Sequence, residues 1–235
     1  MGNKFDSDKI KTYQIAENSE QLSVNFTDNV VDEAGEIIKA IPGKGKVNCM
    51  ISTFLFRYLE NYHIPTAFIK ATSDSRQLLK NVDEIPFTVV VRNVMGGKIR
   101  EKLQLDDTKH LRSQILEYYV KDSENQDLMI NRWHVLALGL VSAEEMKLIE
   151  RQSSKINAVL KSLFARRHLQ LLDFSFKFGR FQENLYLADG FVFDSMRVLD
   201  LNTDINYDAA VFAGDSSKAI EYCEALIGRL MSSAE

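Results

Sequence analysis

A chain of 235 residues with a formal charge of −4 is long enough for one large domain or two closely packed lobes, and this charge gives no general attraction to nucleic acid or an anionic membrane. Its 45% hydrophobic and 26% charged fractions are those of an ordinary soluble globule, and no repeat, low-complexity tract or Pro/Ser/Gly linker interrupts them. The two cysteines, Cys49 and Cys223, read as reduced, buried side chains of a cytoplasmic protein, with neither a signal-peptide pattern nor a bilayer-length apolar run in view.

Residues 9–15 and 22–26 read as two strands around the turn Glu17-Asn18-Ser19-Glu20. Lys9 and Lys11 stand two apart on the first strand, and so on one face. Residues 28–35 are polar and acidic and read as a loop. Ile41-Pro42-Gly43-Lys44-Gly45-Lys46 is a basic, turn-rich segment. It leads into a helix whose apolar positions Val47, Met50, Ile51, Phe54, Leu55, Tyr58 and Leu59 follow the helical period. The Gly-Lys-Gly either offers free N–H groups to a phosphate or is a flexible basic turn; it lacks the spacing of a P-loop. Residues 64–71 and 77–82 are strand candidates. Residues 87–91 form a β-branched run behind Pro86 and read as a buried strand stopping at Arg92-Asn93. With the strands before it, this run suggests a largely antiparallel N-terminal sheet packed by the helix. Gly96-Gly97, flanked by Met95 and Lys98, comes next. A guanidinium, an amide and a glycine pair at a strand's end suit an anion, and they equally suit a hairpin turn with a solvated Arg.

Residues 116–120 and 127–130 are mixed in pattern. Trp133, His134 and residues 136–140 read as local packing, and His134 has no partners at metal-ligand spacing. Ser142-Ala143-Glu144-Glu145 is a capping box opening a long helix, with Met146, Ile149, Ile156, Val159, Leu160 and Leu163 on its apolar face. Residues 171–178 alternate: Leu172, Phe174, Phe176 and Phe178 point one way, Asp173, Ser175 and Lys177 the other. A further strand, 185–188, ends at Asp189. Asp189, Asp194, Arg197 and Asp200 follow closely; carboxylates there suit Mg2+, which takes oxygen ligands, and they equally suit a charged loop. A last helix begins near residue 217, with Ala219, Ile220, Cys223, Leu226, Ile227 and Leu230 inward and Asp215 or Ser216 as its cap.

These blocks, in this order, resemble the SAICAR synthetase (phosphoribosylaminoimidazole-succinocarboxamide synthase) family over nearly the whole chain. The matching pieces are Lys9-Ile10-Lys11-Thr12-Tyr13, Ile41-Pro42-Gly43-Lys44-Gly45 through Asn48 and Ile51-Ser52, and Ile85-Pro86 through Arg92-Asn93 and Gly97. Leu116-Glu117-Tyr118-Tyr119, Lys121-Asp122 and Asp127 continue the match, followed by Leu172-Asp173-Phe174, Phe178-Gly179, Leu187-Ala188-Asp189, Asp194, Arg197 and Asp200.

The resemblance implies an α+β, two-lobed fold. An antiparallel N-terminal sheet lobe, residues 1–92, would bind nucleotide; an α/β C-terminal lobe, residues 93–235, would hold substrate and metal, with ATP in the cleft between. It implies ATP-dependent ligation of L-aspartate to carboxyaminoimidazole ribonucleotide in de novo purine biosynthesis, through an acyl phosphate, with ATP and Mg2+ as cofactors. On this resemblance Lys9 and Lys11 would contact ATP phosphates, and the peptide groups near Val90 and Val91 would meet adenine. Arg92, Lys98, Asp127 and Arg197 would bind the nucleotide substrate. Asp189 and Asp200 would serve the metal, and Asp173 and Lys177 are the candidate catalytic side chains. The partners are small molecules, with no nucleic acid and no membrane, and a homodimer is allowed.

The chain departs from the family pattern at Asp8, at Met95-Gly96-Gly97-Lys98, at Glu101-Lys102 and at Leu128. It departs again at Ser175 and Lys177, where the family has Lys and Glu, at Gly190, where it has Glu, and around Asp204. Two readings of different class follow: an active ligase with a rearranged site, and a catalytically impaired relative that binds nucleotide or a protein partner. The number and order of the matched motifs favour the ligase.

Overall fold

A computed structural model describes residues 9–32, 35–95, 104, 110–121, 127–212 and 216–232. Two antiparallel sheets organise them. In the first, β1 (Lys11–Ile15) pairs with β2 (Gln21–Phe26), β2 with β6 (Arg76–Lys80), and β6 with β5 (Phe68–Ser73). Leu22, Val24 and Phe26 alternate inward along β2, because successive strand side chains point to opposite faces. The helix α1 (Lys44–Glu60) packs against this sheet with its apolar stripe.

The expected acidic loop at 28–35 contains one short strand: β3 (Asn29–Val31) pairs with β4 (Ile37–Ala40). The helix after it starts at Lys44, earlier than the apolar period suggested. Gly45 N–H donates to Asp28 Oδ1 at 2.9 Å, and a Cβ at Gly45 would lie 2.4 Å from the Phe26 carbonyl oxygen. The Gly-Lys-Gly is therefore neither a phosphate cradle nor a flexible turn. It is a helix start pressed onto β2, and only glycine fits there.

The second sheet is built on β11 (Leu169–Phe181). One edge of β11 takes β8 (Thr88–Val94) and, further along, β7 (Asp83–Glu84). The other edge takes β13 (Met196–Asp200) and then β12 (Asn184–Gly190). Beyond β8 lie β9 (His110–Lys121) and β10 (Asp127–Ile130), and β14 (Asn206–Tyr207) pairs with β13. The strand at 87–91 thus belongs to this larger sheet, not to the N-terminal one. It also runs on through Arg92 and Asn93 to Val94. A division at 92/93 would cut it between two hydrogen-bonded neighbours.

Among the described residues there are three further α-helices: α2 (Arg132–Ala137), α3 (Ala143–Ala165) and α4 (Ser216–Met231). Ser142 Oγ accepts from Glu145 N at 3.1 Å, as the capping sequence predicts. The reciprocal half of the box is not made: the Glu145 carboxylate takes a two-pronged bond from Arg180, at 2.7 Å on each oxygen. α3 covers one face of β8, β9 and β11, and α1 packs against α4. Trp133, expected as packing, is 73% exposed, and Val135 is the residue that α2 buries. His134 Nδ1 accepts from the Asn131 backbone N–H at 3.3 Å, a capping role.

The two sheets are tied together where Ala67 N–H donates to the Leu187 carbonyl at 2.8 Å and Leu187 N–H to the Pro65 carbonyl at 2.9 Å. Cys49 and Cys223 are buried and free. Burial pushes their thiols up to about 11 and about 12, which leaves them unreactive. No helix among the described residues is long and apolar enough to cross a membrane.

Candidate active site

The larger sheet has two unlike faces. Phe174, Phe176 and Phe178 on β11 point into the core with Val89 and Val91 of β8. The strict alternation expected from Leu172 is reset by a bulge between Leu171 and Asp173, so the buried set runs Leu169, Leu171, Phe174, Phe176, Phe178 and Leu172 drops out of it. Asp173, Ser175 and Lys177 occupy the opposite face. Register places Arg92 and Arg197 beside Asp173, Val90 beside Ser175, Glu117 beside Val90, and Asp189 beside Lys177. A polar band thus crosses the sheet from β9 to β13.

At one end of the band, Asp173 is shared by two guanidiniums. Arg197 Nε donates to both its oxygens, at 3.0 and 2.9 Å, and Arg197 Nη2 adds a third contact. Arg92 Nη1 reaches Asp173 Oδ2 at 3.4 Å, while its Nε donates to Glu117 Oε2 at 2.7 Å. Tyr119 hydroxyl donates to the same Glu117 oxygen at 2.9 Å. Asp173 is buried, but the side chains of Arg92 and Arg197 keep 23% and 37% of their surface in solvent. Two fixed, part-exposed forks of this kind suit a phosphate or carboxylate, whose paired oxygens match their N–H groups.

At the other end, Lys11 on β1 crosses from the first sheet. Its Nζ donates to Asp189 Oδ1 at 2.6 Å, and the Tyr13 hydroxyl donates to Oδ2 at 3.2 Å. Gly190 N–H also donates to Oδ1, at 2.8 Å. Lys177 Nζ donates to Glu84 Oε2 at 3.2 Å. Burial alone would raise the Asp189 carboxyl; the Lys11 ammonium, with Lys177 and the Gly190 N–H, outweighs it and holds the group below the usual carboxylate range. Glu84 moves the other way: burial lifts it and the Asp189 charge adds to that, against the pull of Lys177.

The structure brings together Lys11, Arg92, Asp173, Lys177, Asp189 and Arg197 from the sequence-based candidates. Lys9 precedes the strand with a φ of 58°, and its Nζ pairs with Glu36 at 2.7 Å, so it does not share the Lys11 face. The Val90 and Val91 peptide groups lie between β9 and β11 in the ladder, so they have no free edge for adenine. Asp127 is an exposed partner of Lys121, at 3.0 Å, on the edge strand. Its ladder position is six residues along β9 from that of Arg92, about 20 Å at roughly 3.3 Å per residue. Lys98 and Asp8 lie outside the described residues, as do Gly96, Gly97, Glu101 and Lys102.

The expected metal pair also comes apart. Asp189 stands opposite Lys177 and Asp200 opposite Leu169, eight positions away on the same strand, about 26 Å. Asp200 is buried against Arg229 at 2.6 Å, and Asp194 is buried against Lys44 at 2.8 Å and Asn48 at 2.9 Å. Among the described residues no three His, Cys, Asp or Glu side chains are grouped to hold an ion. Mg2+ prefers near-octahedral oxygen at about 2.0–2.1 Å. Asp189, engaged by an ammonium, a hydroxyl and a backbone N–H, does not fit that demand.

Sequence reasoning missed Tyr13, Glu84 and Glu117 as members of the site. Tyr13 was within reach, since it lies two residues from Lys11 on the same face. Glu84 carried no local signal; strand pairing to β11 alone brings it to Lys177.

The chain and its fold are similar to known proteins over most of their length. A family model described as SAICAR synthetase matches residues 8–224. The phosphoribosylaminoimidazole-succinocarboxamide synthase of Staphylococcus epidermidis is 35% identical over 211 residues, covering 89% of this chain and 90% of its own. The crystal structure of the synthase from Ehrlichia chaffeensis superposes with a TM-score of 0.89 at 28% identity, over 98% of this chain and 99% of that one. A SAICAR synthetase in complex with ADP superposes with a TM-score of 0.88 at 31% identity, over 98% of each chain.

Proposed function

The chain belongs to the SAICAR synthetase family, and on that premise we propose that the polar band of its larger sheet carries the family's reaction. The chain is an ATP-dependent carbon–nitrogen ligase of purine biosynthesis, joining L-aspartate to carboxyaminoimidazole ribonucleotide. In this reaction a carboxylate oxygen of the nucleotide takes the γ-phosphoryl group, and ADP leaves. The aspartate amine then attacks the acyl carbon, the C–O bond to phosphate breaks, and the amine gives up a proton. The steps need positioning and neutralised charge more than a covalent partner from the protein.

The observation that carries the assignment is the spacing of the two cation groups along β11. Arg92 and Arg197 stand by Asp173, and Lys11 and Lys177 lie around Asp189, which is opposite Lys177. Four residues separate positions 173 and 177, about 13 Å along the strand. Two anionic ligands set end to end fit that separation. We assign the Arg92–Arg197 pair to the ribonucleotide's phosphate and the Lys11–Lys177 pair to ATP. Asp173 acts as a positioning residue that fixes both guanidiniums. Asp173 and Lys177 share β11, which fixes their separation, whereas Lys11 joins the second group from the other sheet.

Mg2+ is proposed to arrive as the counter-ion of ATP, since among the described residues no carboxylates are grouped to hold it. A homodimer is proposed at the β10 edge of the sheet, where Leu128, Met129 and Trp133 are exposed. A cytoplasmic location follows from the substrates. Purified protein given ATP, aspartate and carboxyaminoimidazole ribonucleotide should form the succinocarboxamide and release one phosphate per product. Phosphate release without product, or neither, would overturn the assignment.

A further inference from the structure

We propose that the Lys177 ammonium is a built-in counter-cation for the nucleotide's phosphates, standing where a protein-held divalent ion would otherwise be needed. The inference rests on the ligase reading and deepens it.

Four charged side chains stand as two adjacent ion pairs: Lys11 of β1 with Asp189 of β12, and Lys177 of β11, opposite Asp189, with Glu84 of β7. Two ammoniums and two carboxylates sum to zero. A divalent ion bound at Asp189 would lie against Lys11 at ion-pair range, with Lys177 on the adjoining strand, and like charges at that range repel by several kcal/mol at an intermediate dielectric. No carboxylate side chain fits at Gly190, the position after Asp189. Gly190 has a φ of +141°, and a Cβ there would lie 2.7 Å from Phe176 Cβ and 3.1 Å from the Ser175 carbonyl oxygen. The other candidate aspartates are committed elsewhere: Asp173 to two guanidiniums, Asp194 to Lys44 and the distant Asp200 to Arg229.

The same geometry makes a polyphosphate site. The Lys177 and Lys11 ammoniums now neutralise carboxylates, and incoming phosphate oxygens would replace those carboxylates as acceptors. Lys177 keeps 35% of its side chain in solvent, so its ammonium is open to a ligand. Glu84, whose carboxyl is the weaker acid of the two, is the partner it gives up. A compact ammonium donates to one or two phosphate oxygens, which suffices for binding without demanding an octahedral shell.

Calorimetry of ATP and ADP binding, in EDTA and in excess Mg2+, tests this on the full chain. The parent protein should bind ATP in EDTA within about threefold of its affinity in Mg2+. Lys177→Gln should lose about tenfold or more in EDTA and markedly less in Mg2+, the fold-change expected for a charge-assisted hydrogen bond. Lys177→Arg should keep the parent pattern, and thermal melts of both variants confirm that they are folded. A parent that needs Mg2+ by about tenfold or more, or a folded Lys177→Gln variant with unchanged affinity in EDTA, overturns the inference and leaves the ligase reading standing. Absence of nucleotide binding in both media overturns both.

Discussion

The two ends of β11 each hold an aspartate against a cation at 2.6 Å, and they do different things with it. At the start of the strand, opposite Leu169, Asp200 is 2% exposed and accepts from Arg229. Arg229 Nε also donates to the Arg167 carbonyl, at 2.8 Å, and Asn202 N–H donates to Asp200 Oδ1, at 2.9 Å. Every partner there belongs to one rigid corner, in which α4 is stapled to the turn after α3. Towards the other end, Asp189 takes its cation from β1, on a different sheet, and a second ion pair stands beside it. The first arrangement locks a scaffold. The second joins two sheets, and it is the pair proposed above to exchange a carboxylate for a ligand. An ion pair's length says little about its role; which bodies it joins, and how much backbone it also satisfies, decide that.

The sharpest break of the comparison is Gly190→Glu. The sequence suggests that this change would restore a carboxylate to the cleft. The positive φ and the Phe176 contact predict instead a loss of about 4 kcal/mol or more, the range reserved for severe strain in a packed strand. A thermal melt close to that of the parent would refute it.

Arg229→Gln comes next. It leaves Asp200 buried without its counter-charge and should cost about 3–5 kcal/mol of unfolding free energy in urea, with ATP affinity unchanged. A weakened nucleotide affinity in the folded variant would show that this corner is coupled to the cleft after all.

Arg92→Ala and Arg197→Ala should each weaken binding of the carboxylated ribonucleotide by about 1.5–3 kcal/mol, as expected for a charged hydrogen bond. Titration calorimetry that leaves the Arg92→Ala dissociation constant at the parent value would make Arg92 a holder of Glu117 and nothing more.

The smallest effect is in acid. The Asp200 carboxyl is buried, which raises it, but the Arg229 guanidinium and the Asn202 N–H pull it below its ordinary value. A depressed carboxylate contributes stability above its unfolded pKa of about 3.9, and that stability is lost as pH falls through the lower folded value. Urea midpoints should therefore drop below about pH 4 in the parent, and Arg229→Gln should show a shallower drop over the same window. Parallel curves for the two proteins would remove Asp200 as the source.

The sequence determined the elements that rest on local period and capping. The apolar stripe of α1, the Ser142 start of α3, the hairpin of β1 and β2 and the polar–apolar alternation of β11 from Phe174 onward are all set by neighbours within a few residues. The order of the motifs was enough to indicate the family. Only the tertiary structure decided the pairing of charges. Lys11 and Asp189 are 178 positions apart, Lys44 and Asp194 are 150 apart, and each pair follows from how distant elements come together. It decided too that residues 87–91 join the larger sheet, that one bulge removes Leu172 from the buried face, and that Asp189 and Asp200 point to separate ends of a strand. The physical reason is reach: backbone periodicity acts within a turn or a pleat, whereas a charge takes its partner from whatever strand the register sets beside it, and local sequence does not encode that register.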